Sequence, residues 1–77
     1  MEKDLLKRIT SNPKICGGKP CIRNSRIRVV DILELLASGL SPKQIVSEEL
    51  PFLELEDISA SLIYAASKVN HPVLTAA

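Results

Sequence analysis

The stretch Val29-Val30-Asp31-Ile32-Leu33-Glu34-Leu35-Leu36-Ala37-Ser38-Gly39-Leu40-Ser41-Pro42 decides how the rest of the chain reads. Its apolar residues recur at 29, 32, 33, 36 and 40, the i, i+3, i+4, i+7 spacing of one helical face. Gly39 stands where that helix should stop, because only glycine enters the left-handed conformation after a helix end at no steric cost. Ser41 offers a hydroxyl to cap a following helix, and Pro42 suits its first position, where a missing N–H costs nothing. A helix, a glycine turn and a second capped helix, with a third periodic segment behind them, predict a helix-turn-helix core. The expected fold class is mainly α: three helices near 30–38, 42–49 and 55–69, with a short N-terminal β-hairpin or extended arm.

Working outward toward the C-terminus, Ile45 and Val46 are the inward residues of the second helix. Pro51-Phe52-Leu53-Glu54 reads as a turn that drops Phe52 and Leu53 into the core. The third helix has a main apolar stripe at Leu55, Ile58, Leu62, Ala65, Ala66 and Val69. Glu54, Glu56 and Asp57 cluster in its first turn, where the helix dipole favours negative charge. Asn70 reads as its cap and Pro72 as a stop. A second stripe, Ala60, Ile63, Tyr64 and Ser67, falls on the face away from the first. Three short helices enclose one core, so either the N-terminal segment covers this stripe or another chain does. Another chain is the expectation, because an uncovered aliphatic patch is an association liability. Ala60, Ile63, Tyr64 and Ser67 are thus the expected oligomer or partner interface, most simply of a homodimer.

Toward the N-terminus, residues 1–8 fit a short helix or a frayed end equally well. Thr10 to Pro13 is turn chemistry. Ile15-Cys16 and Cys21-Ile22 flank Gly17-Gly18, which suggests a tight turn or small hairpin, with Pro20 confining any strand to an edge. Asn24-Ser25 is a second turn, and Arg26-Ile27-Arg28-Val29 alternates as a half-buried strand would. One domain is expected overall: an arm or hairpin over 1–29, the helical core over 30–70 and a tail over 71–77.

At 77 residues, with 45% hydrophobic and 25% charged, the chain suits one small folded unit. One Phe, one Tyr and no Trp leave the core to aliphatic side chains. No apolar run reaches membrane-spanning length and Met1-Glu2-Lys3-Asp4 is unlike a signal peptide, so the expected setting is the cytoplasm, away from membranes. The net charge of +1 conceals a division. Residues 1–28 hold eight basic side chains against Glu2 and Asp4, net +6, while residues 29–77 hold Lys43 and Lys68 against seven carboxylates, net −5. Such a split signals a charged partner, or halves that neutralise one another.

No catalytic centre emerges. Cys16 and Cys21 form a C-x4-C pair with His71 as the remaining soft ligand, too few for structural zinc, so free thiols are expected. Gly17-Gly18-Lys19 lacks the first glycine of a phosphate loop, and Pro20 replaces its Ser or Thr. No nucleophile–base set is apparent, and His71 reads as a helix-end residue. The expectation is a protein that is not an enzyme and takes neither metal nor cofactor.

The run Ile9-Thr10, Asn12-Pro13, Ile15-Cys16-Gly17-Gly18-Lys19-Pro20, Ile22-Arg23 and Arg26-Ile27, then Val30-Asp31-Ile32-Leu33 and Gly39-Leu40-Ser41, closely resembles the bacterial domain-of-unknown-function family 433. The resemblance implies a homeodomain-like or winged-helix three-helix fold. It further implies a VapB-type antitoxin partnered by a PIN-like nuclease toxin. Where the family usually has Gly-Thr-Arg this chain has Asn24-Ser25-Arg26, and asparagine tolerates the left-handed turn next best after glycine.

A recognition helix meets bases among phosphates at its N-terminal end, but here that end carries Glu54, Glu56 and Asp57. Any contact with double-stranded DNA is therefore expected from Lys14, Lys19, Arg23, Arg26 and Arg28. The competing reading is that Arg26 and Arg28, alternating around Ile27, pair with helix carboxylates such as Asp31 or Glu34. Two functions follow as expectations: an antitoxin-like DNA-binding regulator, or a protein–protein interaction module that keeps the helix-turn-helix fold without binding DNA.

Overall fold

Each of the three principal helical segments begins where a side chain answers the free N–H groups of a first turn. The computed structural model describes residues 2–70, with side chains from residue 4 onward. Helix α1 (Glu2–Leu6) leads to strand β1 (Ile9–Thr10), and a 3-10 turn (Cys16–Gly18) precedes strand β2 (Cys21–Ile22). Then come α2 (Val29–Ala37), α3 (Pro42–Gln44), which continues as a π-helical turn over Ile45–Glu49, and α4 (Leu55–Val69). The Asp31 carboxylate accepts the Arg28 N–H at 3.0 Å at the start of α2. Ser41 Oγ accepts the Gln44 N–H at 3.2 Å while Gln44 Oε1 accepts the Ser41 N–H at 2.9 Å, a complete capping box. The mainly helical expectation holds, and the boundaries of α2, of α3 with its π-helical turn and of α4 fall within a residue of those read from periodicity.

Gly39 ends α2 as expected. Its φ is 105°; its N–H reaches Leu36 O at 3.0 Å and that of Leu40 reaches Leu35 O at 3.3 Å. These two bonds close a Schellman turn and satisfy carbonyls that the helix end would orphan. The π-helical turn closes on Leu50 N–H to Ile45 O at 2.7 Å, and it keeps Ile45 fully buried.

The N-terminal segment is built into the body. Strands β1 and β2 are antiparallel, with Ile9 opposite Ile22 and Thr10 opposite Cys21. The hairpin is therefore longer than the one expected around Gly17-Gly18, whose residues form only its loop. Arg28 bridges back to Cys21, and Val29 opens α2, so the segment read as a third strand is a single bridge. Ile22 joins Val29, Ile32, Ile45, Leu53 and Ile58 in one aliphatic core. Helix α1 packs along α4, which resolves the first eight residues in favour of a helix.

Two expectations about α4 and its approach are corrected. Phe52 does not enter the core: it is 53% exposed, with the Arg23 guanidinium 4.6 Å from its ring centroid. The helix itself is rotated from the expected stripe. Its buried residues are Asp57, Ile58, Ala60 and Ser61, and Tyr64 packs against the core. Leu55, Leu62 and Val69 remain 45%, 47% and 67% exposed. The physical reason is that α1, β1 and β2 supply a covering layer, which gives the stripe of small residues something to bury against. Asn70 is the C-terminal cap residue of α4, as expected, with φ −81° and ψ 76° rather than a left-handed conformation. His71, Pro72 and the tail to Ala77 lie outside the described residues.

Candidate functional site

Asp57 is fully buried at the third position of α4. Its Oδ2 accepts the Glu54 N–H at 2.8 Å, so it caps its own helix. Its other capacity goes to the N-terminal segment. Arg23 donates from Nη2 to Oδ2 at 2.7 Å and from Nε to Oδ1 at 3.1 Å, a bidentate fork. Arg8 Nη1 reaches Oδ1 at 3.0 Å and also Glu54 Oε1 at 2.8 Å. Burial alone would push the Asp57 carboxyl up, but the Arg23 fork, the Glu54 N–H and Arg8 together hold it below the usual carboxylate range. One carboxylate thus ties β2 and the chain just before β1 to the start of α4.

The backbone around Arg23 is shaped for this task. Arg23 and Asn24 have φ of 46° and 59°, and Ser25 N–H closes on Ile22 O at 2.8 Å. Positive φ at both central residues makes a type I′ turn, which matches the twist of paired strands. Asn24 tolerates this, as the departure from Gly-Thr-Arg anticipates. Arginine pays a steric cost there, offset by its contacts to Asp57, to the Phe52 carbonyl at 3.2 Å and to the Phe52 ring.

A second pair lies one helix away. Arg28 Nη2 meets Asp31 Oδ1 at 2.7 Å, and the Arg28 bond is the main reason the Asp31 carboxyl is held low. Lys14, Lys19 and Arg26 are exposed and take part in no ion pair among the described residues. The thiols are free, Cys21 buried and Cys16 half-buried. Burial pushes the Cys21 thiol up and the neighbouring Cys16 thiol adds to it. Among the described residues no cluster of three or more His, Cys, Asp or Glu stands together as a metal site. No helix among them is long and apolar enough to cross a membrane.

The most apolar concavity is a groove of about 400 Å³ between α2 and α4. Val30, Leu33, Tyr64 and Val69 supply its apolar walls, and Lys19, Arg28 and Lys68 its charged ones. Lys68 Nζ sits 5.2 Å from the Tyr64 ring centroid.

A family model described as a protein of unknown function (DUF433) matches residues 9–65. The chain belongs to the DUF433 family. The matched span runs from β1 to the fourth turn of α4 and so contains both Arg–Asp pairs. An uncharacterized protein of Sinorhizobium fredii, y4eO, is 39% identical over 57 residues, covering 74% of this chain and 25% of that protein. The DUF433 chain therefore spans about a quarter of the length of the relative it matches. No solved structure matches it.

Within this DUF433 structure the cations expected to face DNA divide. Arg23 and Arg28 are engaged by Asp57 and Asp31, while Lys14, Lys19 and Arg26 face solvent. The expected interface stripe is broken up. Ala60 is fully buried within the chain and Tyr64 lies against the core. Ile63 is half-buried beside a concavity that also takes in Leu6, and Ser67 is exposed with its hydroxyl on Tyr64 O at 2.7 Å. Ala60, being fully buried, presents no surface to another chain. Sequence reasoning missed Arg8 as the third member of the Asp57 cluster. The available signal was the spacing of Asp57, Ala60, Ser61 and Tyr64, itself i, i+3, i+4, i+7, with a carboxylate on the inward face that a buried cation would have to answer.

Proposed function

We propose that this DUF433 protein is a non-catalytic, antitoxin-like cytoplasmic regulator whose primary partner is another protein. The family resemblance makes a PIN-like nuclease toxin the first partner to consider. In this reading α2, the Gly39 turn, α3 and α4 serve as a helix-turn-helix frame that carries a protein-binding surface. The observation that supports it is the clamp of Arg8 and Arg23 on Asp57. It turns two of the eight cations of the N-terminal half onto a carboxylate of the other half, so part of the charge division serves to join the two halves of the fold. Self-association through the expected stripe loses its main motive, since Ala60 is buried within the chain and Tyr64 packs partly against the core.

Double-stranded DNA is the second reading, favoured by the exposure of Lys14, Lys19 and Arg26. A salt titration of binding to a random duplex of roughly 20 base pairs separates the two. Each neutralised phosphate contributes about −0.9 to the slope of log K against log salt, so three free cations allow about −2.7. The protein-binding reading expects affinity no better than about 10 μM and a slope close to zero. Tighter binding with a slope of about −2.7, as Lys14, Lys19 and Arg26 would give, makes DNA the primary partner.

A further inference from the structure

We infer that the groove between α2 and α4 is a docking site for an acidic amphipathic helix of a partner protein. This rests on the protein-binding reading above and names the surface and the chemistry it selects. The walls are aliphatic and aromatic, and they continue onto side chains that the fold leaves in water: Val30 is 42% exposed and Val69 67%. Leu62, 47% exposed, stands two turns before Val69 on the same stripe of α4. A domain of this size gains nothing from keeping such residues on one face unless something covers them. A groove walled by apolar side chains of two helices is the setting in which an amphipathic partner helix docks, through anchors that recur at i, i+3, i+4 and i+7.

Charge selects the occupant. Among the described residues the charged side chains lining the groove are Lys19, Arg28 and Lys68, and no carboxylate lines it. Arg28 already holds Asp31, so the unmatched positive charge comes from Lys19 and Lys68. A two-fold pairing of this face with a second copy would set those lysines against lysines, which disfavours self-docking. A partner helix with carboxylates beside its apolar anchors meets both the walls and the rim. The Lys68 ammonium, now over the Tyr64 ring, is placed to exchange that contact for a carboxylate.

The test uses the full chain and two fluorescent peptides of about 18 residues, each with Leu at i, i+3, i+4 and i+7 and flanked by Glu in one and by Lys in the other. Anisotropy should show the Glu peptide binding at least about ten-fold tighter, a preference that shrinks as salt is raised. Val30→Glu, and Lys19→Glu with Lys68→Glu, should each weaken the Glu peptide by about ten-fold or more while thermal unfolding stays near wild type. Equal binding of the two peptides, or no effect of Val30→Glu, overturns the proposal. Sedimentation showing a wild-type dimer that Val30→Glu dissociates also overturns it, by making a second copy the occupant. A steep duplex slope with the peptide result intact defeats the protein-first reading alone; a flat slope with peptide failure defeats the groove alone.

Discussion

Arg23 and Asp57, 34 positions apart in sequence, are joined by two hydrogen bonds of 2.7 and 3.1 Å. The carboxylate is fully buried and the guanidinium is about one-third exposed. That asymmetry decides the energetics. Asp57 cannot regain water if its partners leave, whereas Arg23 and Arg8 can, so the pair is held from the carboxylate side.

Acid should therefore weaken the fold through Asp57 and Asp31. Both carboxyls are held below their ordinary value in the folded chain. A folded value below the unfolded one gives stability that is complete above the unfolded pKa of about 3.9 and is lost as pH falls through the folded value. Urea unfolding should show a flat stability above about pH 5 and a steady decline below about pH 4. Asp57→Asn should flatten part of that decline. An unchanged acid limb in this variant would remove Asp57 from the account.

The turn at Arg23-Asn24 predicts a substitution series. Asn24→Gly should leave stability unchanged or slightly raised, because glycine takes the observed φ of 59° freely. Asn24→Val should cost about 1–2 kcal/mol, since a β-branched residue is strained there. The Asn24 N–H bond to Thr10 Oγ1, at 2.8 Å, is available to all three side chains and does not separate them. Equal stability of the glycine and valine variants in urea would argue against the left-handed turn.

How much of this was legible in the sequence follows from the range of the forces involved. The Gly39 stop, the Ser41 cap and the extent of α4 rest on bonds within five residues, and the sequence carries them openly. Asn24 was read as a left-handed residue for the same local reason. The rotation of α4 was not legible, because two stripes at helical spacing share that helix and only the covering layer decides between them. Phe52 was assigned to the core by its size, but Arg23, 29 positions away, gives its ring a partner at the surface. The free and paired arginines look alike in sequence. Only the fold tells Arg26, in solvent, from Arg23, on Asp57.

The two thiols should differ in reactivity. Cys21 is buried and its thiol is pushed up, whereas Cys16 is half-buried. Because the thiolate is the reactive form, iodoacetamide at about pH 8 should modify Cys16 at least about ten-fold faster than Cys21 in the native protein. Both should react alike in denaturant. Equal rates in the native state, read by mass spectrometry, would contradict the burial of Cys21.

The joining of the two charged halves through Asp57 is tested most directly by a double-mutant cycle on Arg23→Met and Asp57→Asn, measured by urea unfolding near neutral pH. Two side chains in one ion-pair network should show a coupling energy of about 1–3 kcal/mol, with each single variant destabilised and the double variant less so than their sum. A coupling within about 0.5 kcal/mol of zero, as independent sites give, would contradict the account.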